Sequence, residues 1–155
     1  SLDLLGRKMT MENGAALLQL AQHIGSTIQE AVQHPTLQPY ANTLQIEMNR
    51  MGRTLRELGQ FAQQGDAERY LADATVFMEM AGYVIIGWQW LKMAVVAQKA
   101  LDAGDFGSQS RSFYEGKVHT MKFFFRYELP HAAACSDILL AEGALTQLEE
   151  DELLD

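Results

Sequence analysis

The sequence predicts an all-α protein, an up-and-down four-helix bundle with a short extra C-terminal helix. Three observations lead to this prediction. Apolar residues recur every three or four positions through four long segments, and no segment shows the two-residue alternation of a strand. The breaks between the segments are short, at about five residues or fewer, so that neighbouring helices must run mostly antiparallel.

The segment from Asp66 to Ala103 is predicted to be the longest helix and the centre of the bundle. Its apolar positions form two adjoining stripes, Leu71, Ala74, Met78, Ala81, Ile85, Trp88 and Val95 in one and Tyr70, Phe77, Val84 and Leu91 in the other. A helix that is apolar around most of its circumference is surrounded by other elements, so we expect neighbours on nearly all its sides. Glu79 and Lys92 bracket an apolar run shorter than the ~20 residues of a membrane span, which favours a buried core helix.

The first two helices are predicted from their stripes and from the prolines between them. The first is expected over residues 12–33, before Pro35, with inward residues Leu17, Leu20, Ala21, Ile24, Ile28 and Val32. Pro39 suits the first turn of the second helix. That helix is expected to run to Gln64, with the stripe Leu44, Met48, Met51, Leu55, Leu58 and Ala62. Gly65 and Asp66 suit the caps that follow.

The C-terminal third is predicted to hold a fourth helix and a short fifth one. The break at residues 104–108 precedes Ser108 and Ser110, either of which can cap the fourth helix. Its inward residues are expected to be Tyr114, Val118, Met121, Phe125 and Leu129, and Pro130 kinks or ends it. Residues 131–143 predict the extra helix, with Ala132, Ala133, Ile138 and Leu139 apolar.

Composition predicts one globular domain. We assign residues 1–9 to a lead-in from preceding structure, 10–143 to the bundle and 144–155 to an acidic tail. The single cysteine, Cys135, rules out an intramolecular disulfide and suits a reducing, cytoplasmic setting; the first residues lack the core of a signal peptide. The formal net charge of −8 repels phosphate backbones, which argues against nucleic acid as a partner.

No catalytic, cofactor-binding or metal-binding residue is predicted in this chain. A di-iron bundle needs paired Glu-x-x-His motifs, whereas the single copy here, Glu128 to His131, contains Pro130. Cys135 follows His131 by four residues and could share a helical face with it. A free cysteine among alanines is more often a small core residue than a nucleophile.

Three further features are interpreted as surface or packing. Arg50, Arg53 and Arg56 form a basic spiral, which we interpret as a solvated face in preference to a site for phosphate or an acidic neighbour. The aromatic run 123–125 with Tyr127 covers more than one face, so part of it is expected in the core and the rest in a contact patch. Two glycines inside the central helix, Gly82 and Gly87, predict tight helix crossing, with Trp88 and Trp90 filling the gaps nearby.

Two stretches resemble acyl-CoA dehydrogenases. Residues 2–8 (Leu-Asp-Leu-Leu-Gly-Arg-Lys) resemble the segment just downstream of the catalytic loop in that family. Residues 82–94 and 113–130 resemble two helices of an extra C-terminal domain, which occurs in the subgroup that includes 3-methylmercaptopropionyl-CoA dehydrogenase. The resemblance spans essentially the whole chain.

The resemblance implies a C-terminal piece of a larger flavoenzyme that oxidises an acyl-CoA to the 2-enoyl-CoA. In such enzymes a glutamate takes the α-proton, FAD accepts the β-hydride and an electron-transfer flavoprotein takes the electrons. The family's glutamate lies in a Tyr-Glu-Gly-Thr loop upstream of the segment that matches Leu2. Here the triplet 114–116 is Tyr-Glu-Gly, but it continues into a helical pattern, so Glu115 is not expected to be the base.

The favoured hypothesis is therefore an accessory domain that packs on its own dehydrogenase core or on a sister subunit of a homo-oligomer. FAD is implied for the parent enzyme and no cofactor for this stretch, which alone is expected to be inactive. A stand-alone ligand- or cofactor-binding bundle is the alternative. Attachment to a membrane surface is disfavoured because interfacial helices usually carry lysine and arginine around the apolar face.

Overall fold

The computed structural model describes residues 2–61 and 67–141, and within them the side chains of residues 2–13, 59–61, 67, 69 and 70 are not considered. Its helices are α1 (Leu2–Val32), α2 (Gln38–Phe61), α3 (Ala67–Ala103) and α4 (Arg111–Tyr127). Residues 130–141 form a further helix, α5. No strand occurs in the described ranges, and the predicted all-α bundle with an extra C-terminal helix is confirmed.

The largest difference from the predicted boundaries is the start of α1. The helix begins at Leu2, ten residues before the predicted range, and its backbone runs without a break through the expected lead-in. Residues 9–12 contain no proline or glycine, so nothing there interrupts a helix that has already started. The expected ends and caps at Ala62, Gln64, Gly65 and Asp66 and the tail 144–155 lie outside the described residues.

The turns lie where the prolines, glycines and capping serines predicted the helices to end and begin. α1 ends before Pro35, and Pro39 lies in the first turn of α2. Between α3 and α4, Gly104 and Gly107 have φ of 67° and 57°, the left-handed conformation that favours glycine. Of the two expected caps it is Ser110 that begins α4, since its hydroxyl accepts a hydrogen bond of 3.1 Å from the Phe113 N–H.

The core lies between the inner sides of all five helices. α3 packs against α1, α2 and α4, and α1 also packs against α2. The most deeply buried large residues of the core come from every helix and from the connections between helices. They are Ile24, Leu37, Leu44, Met51, Met80, Val84, Leu91, Val95, Met121, Leu129 and Leu139. The inward stripes predicted for α2 and α4 are thus confirmed for the described residues, although the α1 position Val32 is exposed.

Polar contacts show how α1 and α3 align. The Trp88 indole N–H donates to Thr27 Oγ1 at 2.8 Å, Lys99 pairs with Glu30 at 3.4 Å, and His34 with Asp102 at 3.3 Å. The later a residue lies in the sequence of α1 and its following turn, the later its partner lies in α3, so the two helices run in the same direction. This alignment is the one that an up-and-down bundle requires of its first and third helices.

The expectation that α3 is surrounded on nearly all sides is wrong for this chain. Leu71 and Met78, both assigned to an inward stripe, are 63% and 65% exposed. The reason is that α1, α2 and α4 all pack on one side of α3, so that apolar residues on the opposite side have no helix over them. Periodicity counts apolar positions, but it does not count the neighbours that are available to cover them.

The two glycines of α3 behave differently. A Cβ added to Gly87 would lie 3.3 Å from Leu129 Cδ1, 3.5 Å from Phe124 Cε1 and 3.8 Å from Leu44 Cδ1, so the predicted close approach is confirmed there. A Cβ added to Gly82 would meet nothing within 4 Å. The prediction of tight crossing at Gly82 is wrong, because this glycine faces away from the other helices.

Candidate interaction surface

The main exposed apolar feature is one side of α3, which we call the α3 outer stripe. Its positions recur at helical spacing and are Leu71, Thr75, Met78, Gly82, Ile86, Gln89, Met93 and Val96. Ile86 and Val96 are 48% and 62% exposed, and Met93 is 38% exposed. The stripe spans about 38 Å at 1.5 Å per residue. A largely apolar, uncharged strip of this kind on a protein surface indicates an interaction surface.

The stripe is uncharged along its whole length. Charged residues stand only at its margins, where Glu79 and Lys92 are exposed. At its middle, Gly82 leaves open space between Met78 and Ile86, one helical turn away on either side. The surface therefore has bulky side chains toward both ends and a notch at the centre, a shape into which a side chain of another element could fit.

A second exposed apolar patch lies on the outer side of α4, and we call it the α4 aromatic patch. It consists of Phe113, Phe123 and Tyr127, and the last two rings lie 4.7 Å apart. Phe125 is buried, and Phe124 lies against Gly87, so the aromatic run is divided between core and surface as predicted.

Cations lie over two of the three rings of this second patch. Lys117 Nζ lies 5.1 Å from the Phe113 ring, and the Arg126 guanidinium lies 5.4 Å from the Tyr127 ring. Cation–π contacts at exposed sites are favourable, and the long side chains shield part of the ring from water. The α4 aromatic patch is thus adapted to solvent to a degree that the α3 outer stripe is not.

The structure places His131 and Cys135 in different surroundings. His131 is exposed and stacks on Tyr83 with the ring centroids 5.4 Å apart, whereas Cys135 is buried. Burial, with the Glu79 carboxylate as a lesser cause, raises the pKa of the Cys135 thiol, which disfavours the reactive thiolate. The described residues contain no group of three or more potential metal-ligating side chains.

The basic spiral of α2 is divided between interior and solvent. Arg53 and Arg56 are exposed, whereas Arg50 pairs with the buried Glu47 at 3.3 Å. Desolvation raises the pKa of the Glu47 carboxyl, and Arg50 partly opposes that shift. Nearby, Thr54 donates to the Arg50 carbonyl at 2.7 Å, so the 2.8 Å contact between Thr54 and Ser136 has the serine as donor. The Thr54 and Ser136 hydroxyls are thus hydrogen-bonded inside the bundle, whereas Glu47 Oε2 and Arg50 Nε form an ion pair without a hydrogen bond.

Glu115 lies on the outer surface of α4. The triplet 114–116 is therefore part of a helix, as its sequence context predicted. Its carboxylate is 57% exposed and lies 3.9 Å from Arg111 one turn earlier. A general base works next to its substrate in a site that shields the reaction from bulk water. Glu115 has the surroundings of a solvated ion pair instead.

Sequence reasoning missed two histidine contacts. His34, in the α1–α2 turn, pairs with Asp102 near the end of α3, and the His23 ring stacks on Trp88 with the centroids 6.5 Å apart. Both contacts join residues more than 60 positions apart, so no local pattern could have identified them. They fix the relative positions of α1 and α3 and leave the outer stripe free.

Comparison with known proteins identifies the family. A family model described as "Acetyl-CoA dehydrogenase C-terminal like" matches residues 20–148, which is most of the chain. The chain belongs to the acyl-CoA dehydrogenase C-terminal domain family. It is also similar to the broad-specificity linear acyl-CoA dehydrogenase FadE5 of Mycobacterium tuberculosis, with 30% identity over 154 residues. No solved structure gives a significant match.

This C-terminal domain spans about a quarter of the length of that relative. The alignment covers 96% of the chain and 25% of FadE5, at its C-terminal part. The resemblance inferred from residues 2–8, 82–94 and 113–130 is therefore confirmed at the level of the family.

The described residues of the C-terminal domain show no dinucleotide-binding turn of the Rossmann type. Dinucleotide pyrophosphates bind at a helix N-terminus that follows a strand and a glycine-rich turn. The glycine turn described here, before α4, follows a helix and is filled by its own side chains. Tyr114 donates to the Phe106 carbonyl at 3.3 Å, and Arg111 lies 5.0 Å from the Phe106 ring. At the helix start, the Phe113 N–H is already bonded to Ser110.

Among the described residues, one helix of the C-terminal domain meets the length and composition of a membrane span. It is α3, over Leu71–Ala103, in spite of the charges at Glu79 and Lys92. The core helix of a soluble protein meets the same criteria, and α3 packs against three other helices. The inner side of α3 has the role of a core helix, and the outer stripe adds to its apolar character.

Proposed function

We propose that this C-terminal domain is an accessory, assembly-forming part of an FAD-dependent acyl-CoA dehydrogenase. The complete enzyme oxidises an acyl-CoA to the 2-enoyl-CoA and passes the electrons to an electron-transfer flavoprotein in the cytoplasm. The base and the flavin site belong to the preceding core. The 155 residues are inactive by themselves and contribute contacts to that core or to a sister subunit.

The alignment to one end of a longer dehydrogenase is the observation that carries this proposal. The chain corresponds to the C-terminal quarter of FadE5, a protein described as a broad-specificity linear acyl-CoA dehydrogenase. The local chemistry is in keeping with a non-catalytic part, since Glu115 is exposed beside Arg111 and the Cys135 thiol has a raised pKa. The α3 outer stripe supports a packing role, because an accessory domain must bury some of its surface against the rest of the protein.

Truncation of the parent enzyme tests the proposal. We expect the full-length protein to bind FAD and to reduce an artificial electron acceptor with linear acyl-CoA substrates. Deletion of residues 10–155 is expected to change the number of subunits in the assembly, as measured by light scattering, or to lower the thermal stability of the enzyme. The isolated chain should show no flavin absorbance and no oxidation.

Two results would contradict the proposal. A full-length protein that neither binds FAD nor oxidises any acyl-CoA would reject the parent activity. A truncated enzyme with unchanged assembly, stability and kinetics would reject the accessory role. Flavin or metal bound to the isolated chain would instead support the alternative of a ligand-binding bundle.

A further inference from the structure

The α3 outer stripe has no occupant within the described part of this chain. Its five apolar side chains, Leu71, Met78, Ile86, Met93 and Val96, are between 38% and 65% exposed. We propose that the stripe is the surface by which this domain docks on the dehydrogenase core of the same chain, against an uncharged, aliphatic helix or ridge that places a side chain over Gly82. This inference rests on the proposed function and deepens it by naming the face and its occupant.

The chemistry of the stripe determines which partners fit. A strip about 38 Å long without a charged residue offers no ion-pair partner to a charged surface, and burial of a partner's charge against it would be costly. An aliphatic partner buries apolar area on both sides at about 25 cal/mol per Å². The notch at Gly82, where an added Cβ meets nothing within 4 Å, admits one partner side chain between Met78 and Ile86.

The direction of α1 places the preceding part of the protein near this surface. The rings of His23 and Trp88 stack, and from this pair each helix runs 21 residues further toward its own first residue, Leu2 in α1 and Ala67 in α3. Since α1 and α3 run in the same direction, Leu2 lies at the end of the bundle where the stripe begins. A core joined ahead of Leu2 is therefore attached at the Leu71 end of the stripe.

Charge and tethering favour the core over a second copy of the chain. Two chains that each carry a formal net charge of −8 repel one another, which weakens any contact between copies. A core on the same chain is held at an effective concentration of order millimolar by its linker, so a surface of modest size is enough. FadE5 has about three quarters of its length outside the matched region, which is ample for such a core.

Thiol labelling of the full-length parent and of the 155-residue chain tests the proposal. Met78→Cys and Ile86→Cys report on the stripe, and Phe123→Cys, at a position of similar exposure on α4, is the matched control. Each variant also carries Cys135→Ala, and labelling is resolved by peptide mass analysis. In the 155-residue chain we expect the three sites to react at similar rates. In the parent, sites 78 and 86 should react about tenfold or more slowly than site 123, because labelling then requires local opening.

The other outcomes overturn the proposal or assign the stripe elsewhere. Equal labelling of all three sites in the parent rejects docking through α3. Protection of sites 78 and 86 in the 155-residue chain, together with a dimer mass, assigns the stripe to a second copy. Protection that appears only with phospholipid vesicles assigns it to a lipid surface. A parent that contains FAD and is active while its stripe is labelled disproves the docking alone, whereas an inactive, flavin-free parent disproves the proposed function itself.

Discussion

The α3 outer stripe and the α4 aromatic patch both expose large apolar side chains to a similar fraction but differ in their chemistry. Met78 on α3 and Phe123 on α4 are 65% and 55% exposed. On α4, Lys117 and Arg126 lie over aromatic rings of the patch. On α3, the stripe is uncharged from Leu71 to Val96, and its large exposed side chains are aliphatic or methionine. Exposure alone would rank the two surfaces as equals, and only the residues around them tell them apart.

The difference indicates which surface is adapted to water. A ring with a cation over it retains a favourable contact when it faces solvent. An aliphatic side chain in water gains nothing comparable, and its exposure is unfavourable in proportion to its area. The α4 aromatic patch is therefore stable as a surface, whereas the α3 outer stripe has the character of an interface that is still to be formed.

The largest expected effect separates the two sides of α3 with a matched pair of leucines. Leu91 is fully buried and Leu71 is 63% exposed on the same helix. Leu91→Ala should lower the free energy of unfolding by about 3 kcal/mol through lost burial and a cavity, and Leu71→Ala by less than about 0.5 kcal/mol. Urea denaturation of the 155-residue chain measures both. Equal losses would mean that the outer side of α3 is covered in the isolated chain.

A pair of glycines gives the next effect. Gly82→Ala should stabilise the isolated chain by about 1 kcal/mol, since alanine favours the helix and its Cβ meets nothing at this position. Gly87→Ala should gain clearly less, because its Cβ would lie 3.3 Å from Leu129 Cδ1 in the core. Thermal unfolding compares the two variants. A larger gain for Gly87→Ala would contradict the packing described at that crossing.

Removal of the cations on α4 should leave the α4 aromatic patch as exposed to water, without covering charges, as the α3 outer stripe is. Lys117→Met and Arg126→Met are each expected to cost about 0.5 kcal/mol and to increase binding of a hydrophobic dye, as the rings lose their cover. Dye fluorescence and denaturation report the change, and Arg53→Met, an exposed cation on α2, is the control. If a variant that carries both Lys117→Met and Arg126→Met binds no more dye than this control, the cations do not shield the patch.

The smallest effect concerns a buried charge, the converse of the exposed, uncharged stripe. Burial raises the pKa of Glu47 above 4.5, with Arg50 opposing part of the shift. A carboxyl with a raised folded-state pKa contributes stability below its unfolded pKa and loses that contribution as the pH rises through its folded pKa. The stability of Glu47→Gln relative to the natural chain should therefore increase between about pH 4 and pH 7. Denaturation at several pH values, with exposed Glu115→Gln as control, measures this; parallel pH profiles would contradict it.

Local sequence signals predicted most of the helix ends. They did not predict contacts between two helices, which depend on how the helices align. Pro35, Pro39, Ser110 and Pro130 act through their own backbone neighbourhood, and each lies where its chemistry predicts. The start of α1 was missed because residues 2–8 were interpreted as a connection to preceding structure, although the backbone continues through them as a helix. The His34–Asp102 and Thr27–Trp88 contacts depend on helix alignment, which no local pattern contains.

The amino-acid sequence alone determined the helices, their order, the family and the lack of a predicted catalytic residue, because periodicity, caps and family motifs are properties of short stretches. The tertiary structure alone decided which apolar residues of α3 are core and which are surface. Hydrophobicity is a property of a side chain, but burial depends on what packs against it. Val84 and Ile86 are both aliphatic and lie two residues apart; one is fully buried and the other is half exposed, because the neighbouring helices cover only one side of α3.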